Sequence, residues 1–188
     1  MSSEVVFDKR KLKSPPLNIH TLGDRVLRQP AKRVSQVNND IRQLVKEMLQ
    51  TMYSADGIGL AAPQVAVPKQ VIVVDIDPDE AANSPLILIN PQIRKRSDDL
   101  VADQEGCLSI PGVYLDVTRP EAIEVAYKDE QGRPQKIWAT ELLARAIQHE
   151  IDHLTGVMFV DRVENQLQLG QALSKQGFSH RAVKSINP

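Results

Sequence analysis

One stretch constrains this 188-residue chain more than any other: Glu-Leu-Leu-Ala-Arg-Ala-Ile-Gln-His-Glu-Ile-Asp-His-Leu-Thr, residues 141–155. Thr140 suits an N-cap and Gly156 stands where a left-handed C-terminal cap belongs, so the spacing predicts a helix between them. On that helix Leu143, Ile147, Ile151 and Leu154 make a purely apolar stripe. Leu142, Ala146, His149, Glu150 and His153 make a second stripe beside it. Arg145, Gln148 and Asp152 fall on the third face and are expected in solvent. Two adjoining faces therefore want burial. The helix is expected at the centre of the fold, with polar groups aimed into the core.

His149 and His153 lie one helical turn apart on one face, with Cβ atoms about 5–6 Å from each other. Two imidazoles so placed can bind one ion from the same side. Glu150, beside the first of them, can reach a water on such an ion without ligating it. The plainer alternative, two surface histidines paired with carboxylates, would bury three polar side chains on the inward face with nothing to satisfy them.

The rest of the chain reads as an α+β protein. A first helix is expected from Asn39 or Asp40 as N-cap to about Ser54, since Ile41, Leu44, Val45, Met48, Leu49 and Met52 recur on one face. Short strands are expected at residues 71–76, 86–89, 113–117 and 123–127, with a turn at 128–132 into another ending near Trp138. Strands crowd the middle and helices the two ends. That order predicts antiparallel β-sheets packed around the central buried helix that carries the His149-Glu150-Ile151-Asp152-His153 motif, rather than a βαβ alternation. The division expected is an N-terminal flexible arm over 1–16, one catalytic domain over 17–165, and a C-terminal helix with a basic tail over 166–188.

A formal net charge of −1 gives no field for DNA or an acidic membrane, and no apolar run approaches a membrane span of roughly 20 residues. The first 18 residues hold no apolar secretory segment, and their acidic side chains argue against an organelle transit peptide. The one cysteine, Cys107, forms no intrachain disulfide, which fits a reducing compartment. A cytoplasmic location is expected.

A catalytic tetrahedral site needs a third protein ligand and an open position. The residue at which a metzincin would place its third histidine is Phe159, and Glu164 stands too near for the distant glutamate of thermolysin-like zincins. Cys107 is the remaining soft ligand. Gly106 and Pro111-Gly112 frame it in a tight segment, and a thiolate supplies the anion that two neutral imidazoles lack. A zincin-like metallopeptidase and a non-catalytic metal-stabilised binding module stay open as alternatives at this point.

Three motifs, Gly57-Ile58-Gly59-Leu60-Ala61-Ala62-Pro63-Gln64, Glu105-Gly106-Cys107-Leu108-Ser109 and Gln148-His149-Glu150-Ile151-Asp152-His153, resemble in order and spacing those of peptide deformylase. The likeness spans roughly residues 17–165. Ala66 departs from a glycine common in the family, and Glu141 from a small residue at the helix start. The resemblance implies removal of the formyl group from the N-terminal formylmethionine of newly synthesised polypeptides, with release of formate. It implies that Cys107, His149 and His153 hold one divalent ion, ferrous iron in the cell, which zinc, nickel or cobalt can replace. Glu150 would be general base and then acid, and Gln64 with the backbone N–H of Leu108 would face the developing oxyanion.

Gly59 would let the substrate backbone pass close, with Gly106 and Glu105 also on the substrate's side. Ile58, Leu108, Leu142 and Ala146 are candidates for an apolar methionine pocket, and Arg145 at its edge for a contact to the next residue. Glu105 and Asp152 are acidic neighbours of the ligands, with Arg119 their expected counter-charge. After Glu164 no acidic residue follows, while Lys175, His180, Arg181 and Lys184 accumulate. Beyond a short helix through Leu167, Leu169 and Leu173, the tail reads as frayed and solvated, or as a transient ribosome contact.

Overall fold

The computed structural model describes residues 7–80 and 83–186; the part of the expected arm that precedes Phe7 lies outside them. The apolar face read from Ile41 to Met52 forms helix α1, Asn39–Ser54. Its N-cap is Asn38, one residue earlier than expected, because the Asn38 side chain accepts from the Ile41 N–H at 3.1 Å. Strands follow as β1 (Gly59–Ala61), β2 (Val71–Val74), β3 (Leu86–Arg96), β4 (Leu100–Cys107), β5 (Ile110–Pro120), β6 (Ala122–Lys128) and β7 (Pro134–Thr140). Helices α2, Glu141–Leu154, and α3, Gln166–Lys175, complete the order.

The strands make one five-stranded antiparallel sheet, β1-β2-β3-β6-β7, and a separate β4–β5 hairpin. The α+β expectation therefore holds. The second strand stops at Val74, short of the expected Ile76, and the third runs seven residues past Ile89 to Arg96. The longer run survives Pro91 because Asn90 takes a left-handed φ of 53° and the register shifts between Ile89 and Gln92. The buried Asn90 amide exchanges two 2.8 Å hydrogen bonds with the Val34 backbone, tying this irregularity to the N-terminal segment.

Helix α2 sits between the sheet and the hairpin. Its apolar stripe, with Ile147 fully buried, packs on Ile72, Leu88, Ile123 and Val125. The opposite side is where the sequence reading needs correction: Arg145, Gln148 and Asp152 are buried, not in solvent. The hairpin covers them. Arg145 donates to the carbonyls of Val101 and Val117 at 2.7 and 2.8 Å, and Gln148 to that of Pro120 at 3.0 Å. Asp152 is held between Arg119 and Arg162. Thr140 precedes the helix without a side-chain cap, and Glu141 enters it at φ 52°. Gly156 closes it at φ 76°, in the left-handed conformation expected.

The C-terminal segment is pinned down through Ile186 rather than frayed. The backbone N–H groups of Lys184 and Ile186 donate to the side chain and carbonyl of buried Asp161 at 2.7 and 2.8 Å. Arg28 pairs with the same carboxylate and donates to the Ala182 carbonyl. Leu169 and Leu173 of α3 are fully buried against Ile110, Val113 and Phe159, whereas Leu167 faces out. Among the described residues no helix is long and apolar enough to cross a membrane.

Candidate metal centre

Cys107 stands at the end of β4, where the register shifts before the hairpin turns back at Ile110. His149 and His153 project from α2 toward it. One donor atom from each of the three residues lies within 4.8 Å of the other two, and Cys107 Sγ is 3.4 Å from His153 Nε2. A soft sulfur and two imidazoles at this spacing fit a divalent transition cation.

His149 is oriented by a neighbouring carboxylate. Glu105 accepts from His149 Nδ1 at 3.0 Å, which turns the other ring nitrogen toward the site. The same carboxylate takes two hydrogen bonds from Arg119 and one from Arg145 at 2.8 Å. Arg119 reaches on to Asp152 at 2.8 Å, and Asp152 to Arg162 at 2.7 Å. Burial works against a charge on Glu105, yet Arg119 and His149 hold its carboxyl well below the usual range. Burial likewise opposes a cationic His149, but Cys107 and Glu105 outweigh it and raise that ring. Burial, with the positive groups around it, keeps His153 well below its ordinary value and so neutral. Phe159, which occupies the position where a metzincin places a histidine, stacks on the His149 ring at 5.9 Å instead.

Glu150 is 4% exposed, and its Oε2 has no hydrogen-bond partner among the described residues. Burial is the main cause that pushes its carboxyl up to about 7; His149 opposes this and Glu105 adds to it. A buried carboxyl with a free oxygen beside a donor trio is poised to exchange protons near neutrality. Gln64 is pinned at one end, where its Oε1 accepts from the Ala61 N–H at 2.8 Å. Its amide nitrogen faces Ser109 Oγ at 3.1 Å and Cys107 Sγ at 3.5 Å. Ala66, at the end of that turn, has φ 61°, a conformation that explains why a glycine suits the position.

A cleft of about 500 Å³ opens over these groups. Of the residues singled out in the sequence, Ile58, Gly59, Gln64, Gly106, Cys107 and Leu108 line it. So do Leu142, Arg145, Ala146, His149 and Glu150 of α2, and Glu105. His153, Arg119 and Asp152 lie behind them, buried. Leu142 is half exposed at the mouth. The polar atoms of Glu105 and Arg145 are taken up by each other, by Arg119, by His149 and by strand carbonyls. Gln104 and Tyr114 also line the cleft and were not anticipated. The Tyr114 ring lies over Gly106, where an added Cβ would meet it at 2.5 Å. The alternation of β5, which buries Val113 and Leu115, is the signal that turns Tyr114 outward.

The family model described as polypeptide deformylase matches residues 16–168. Peptide deformylase 1 of Nostoc sp. strain PCC 7120 is 65% identical over 186 residues, covering 99% of this chain and all of the relative. The peptide deformylase of Synechocystis sp. strain PCC 6803 is 61% identical over the same coverage. Among solved structures, a peptide deformylase from Synechococcus elongatus in complex with actinonin superposes with a TM-score of 0.96 at 61% identity, covering 97% of this chain and 100% of that one. A peptide deformylase from Legionella pneumophila gives 0.80 at 38% identity, covering 85% and 92%. Neither the zincin-like nor the binding-module alternative finds support in these matches.

Proposed function

The chain belongs to the polypeptide deformylase family, and from that premise we infer how its own side chains share the work. It is a hydrolase that removes the formyl group from nascent polypeptides. Cys107, His149 and His153 would hold its divalent cation. When bound, the cation supplies Lewis acidity, which polarises a carbonyl oxygen and acidifies water.

Glu150 accepts a proton from water and passes it to the amine nitrogen of the departing methionine; its unpaired buried oxygen beside the donor trio is the observation that carries this reading. The Gln64 amide and the Leu108 backbone N–H stabilise charge on the formyl oxygen. Ile58, Leu108, Leu142 and Ala146 receive the methionine side chain and Arg145 stands toward the next residue, while Gly59 and Gly106 let the peptide backbone come close. Glu105, Arg119 and Asp152 hold His149 in place, so Glu105 serves the metal donors as well as the cleft it lines.

Ferrous iron is the ion expected in the cell, with zinc, nickel or cobalt able to occupy the same donors. Residues 17–165 form the catalytic unit. Lys175 and Arg181, exposed on the C-terminal segment, offer positive charge for a transient ribosome contact, and the enzyme acts in the cytoplasm. The deciding experiment prepares the protein anaerobically and measures formate release from formyl-Met-Ala-Ser and metal content on one sample. Glu150→Gln should retain the metal and lose about 10²–10⁴-fold in kcat. Parent-like turnover by that variant overturns the assignment of Glu150.

A further inference from the structure

Away from the metal centre, three buried or half-buried polar groups meet at a place the deformylation reaction leaves without a role. Asp75, just past β2, is 5% exposed, and Tyr53, in the last turn of α1, is 3% exposed. The Tyr53 hydroxyl donates to Asp75 Oδ2 at 2.8 Å. Lys9, from the segment before α1, reaches the same oxygen at 2.8 Å with its side chain only 13% exposed, and donates to the Glu80 carbonyl at 2.9 Å. Burial, and then Asp75 itself, push the Tyr53 phenol far above its ordinary value, so it stays a donor. A lysine drawn out of water this far is costly unless its partner repays it, so its insertion here is specific.

Asp75 is also where the cleft wall is hung. Its backbone N–H donates to the Ile58 carbonyl at 2.8 Å, and Ile58 lines the cleft. The other end of that wall is tied to the same segment. Lys11 pairs with Asp56, the Leu12 N–H donates to Ser54 Oγ at 3.0 Å, and the Leu17 N–H donates to Thr51 Oγ1 at 3.3 Å. Ile19, immediately beyond, is itself part of the cleft lining. Residues 9–17 thus hold the surroundings of Gly57-Ile58-Gly59, the cleft-lining segment whose Gly59 packs against Glu150.

We propose that residues 7–17 are a strap that sets the height of this wall, and that Lys9, acting through Asp75, is a positioning residue for substrate binding. The proposal rests on the deformylase reading of the cleft. The metal donors and Glu150 are rooted in α2 and the hairpin, outside the strap, so loosening the strap acts first on the wall. Losing contacts made alike to bound substrate and transition state raises KM and spares kcat.

The test uses the full chain, metal content matched, with formyl-Met-Ala-Ser as substrate. Lys9→Met is expected to raise KM by about 5–10-fold with kcat within about two-fold of the parent. Lys9→Arg, which keeps the charge, restores KM, and Tyr53→Phe gives a smaller rise in the same direction. Amide hydrogen exchange at residues 57–61 should quicken in Lys9→Met. A Lys9→Met protein with parent KM and parent exchange at 57–61 overturns the strap, even if its melting temperature falls. Should the parent itself release no formate, the deformylase reading fails, and the exchange rates alone still decide the strap.

Discussion

Gly59 and Glu150 face each other so closely that a Cβ on Gly59 would collide with Glu150 Oε1. The obstruction is the carboxylate itself, held on a buried helix, and no backbone strain is involved. Gly59→Ala must therefore push Glu150 or the wall strand aside. Displacement of a reacting group by about 1 Å can cost about 10²-fold. We expect kcat to fall by that order while the metal stays bound, checked by steady-state kinetics beside metal analysis. An alanine variant with parent kcat removes the contact from the mechanism.

Glu105 gathers His149, Arg119 and Arg145 onto one buried carboxylate. Glu105→Ala frees the His149 ring and strips two buried arginines of a shared partner, although Arg119 keeps Asp152. Metal affinity should drop by about 10–100-fold. Stability should fall by about 3–5 kcal/mol. Competition against a chelator and denaturant unfolding read the two effects separately; an unchanged affinity would show that the ring orients itself.

Ala66 bears a left-handed φ of 61° on an exposed position, so its methyl is strained and packs little. Ala66→Gly removes that strain and adds freedom to the unfolded chain, two effects of opposite sign. The strain is the larger, and a gain of up to about 1 kcal/mol is expected, near 2–4 °C in melting temperature for a chain of this size. Thermal unfolding at fixed metal content tests it. A drop in melting temperature would mean the turn is held for other reasons.

Asp129 organises the β6–β7 turn, accepting from the backbone of Gln131 and Arg133 and from the side chains of Arg133 and Gln135. Burial raises its pKa somewhat, but the hydrogen bonds, led by the Arg133 backbone, hold it below its ordinary value. A depressed carboxylate stabilises the fold fully above its unfolded pKa, about 3.9, and that contribution disappears as the pH falls through the folded value. The parent should thus lose stability from about pH 4 downward more steeply than Asp129→Asn. Identical slopes in acid denaturation curves would exclude this turn as a source of acid sensitivity.

The readable parts of this protein are those where chemistry demands fixed spacing. His149 and His153 share one helical face because they must converge on one point, and the apolar period of α2 shows which face is inward. What escaped the sequence depended on partners distant along the chain. Arg145 looks like a solvent residue on any helical wheel, since nothing local reveals that the β4–β5 hairpin lies across it with open carbonyls. Strand β4 itself offers no alternation, because Leu100 to Gln104 are all exposed. Strand β1 is three residues long, too short to show a period. Lys9 sits in a cluster of charges that reads as a solvated arm, and only Asp75, brought alongside by the fold, distinguishes it from its neighbours.

The Arg28 guanidinium joins pieces of chain that are made at very different times. It bonds to Asp161, 133 positions further on, and to the Ala182 carbonyl, 154 positions further on. Ribosomal synthesis delivers the N-terminal side first. Until Ala182 has been made, then, this early arginine lacks a partner that seats it, and the knot closes only after the segment that carries Ala182 has emerged.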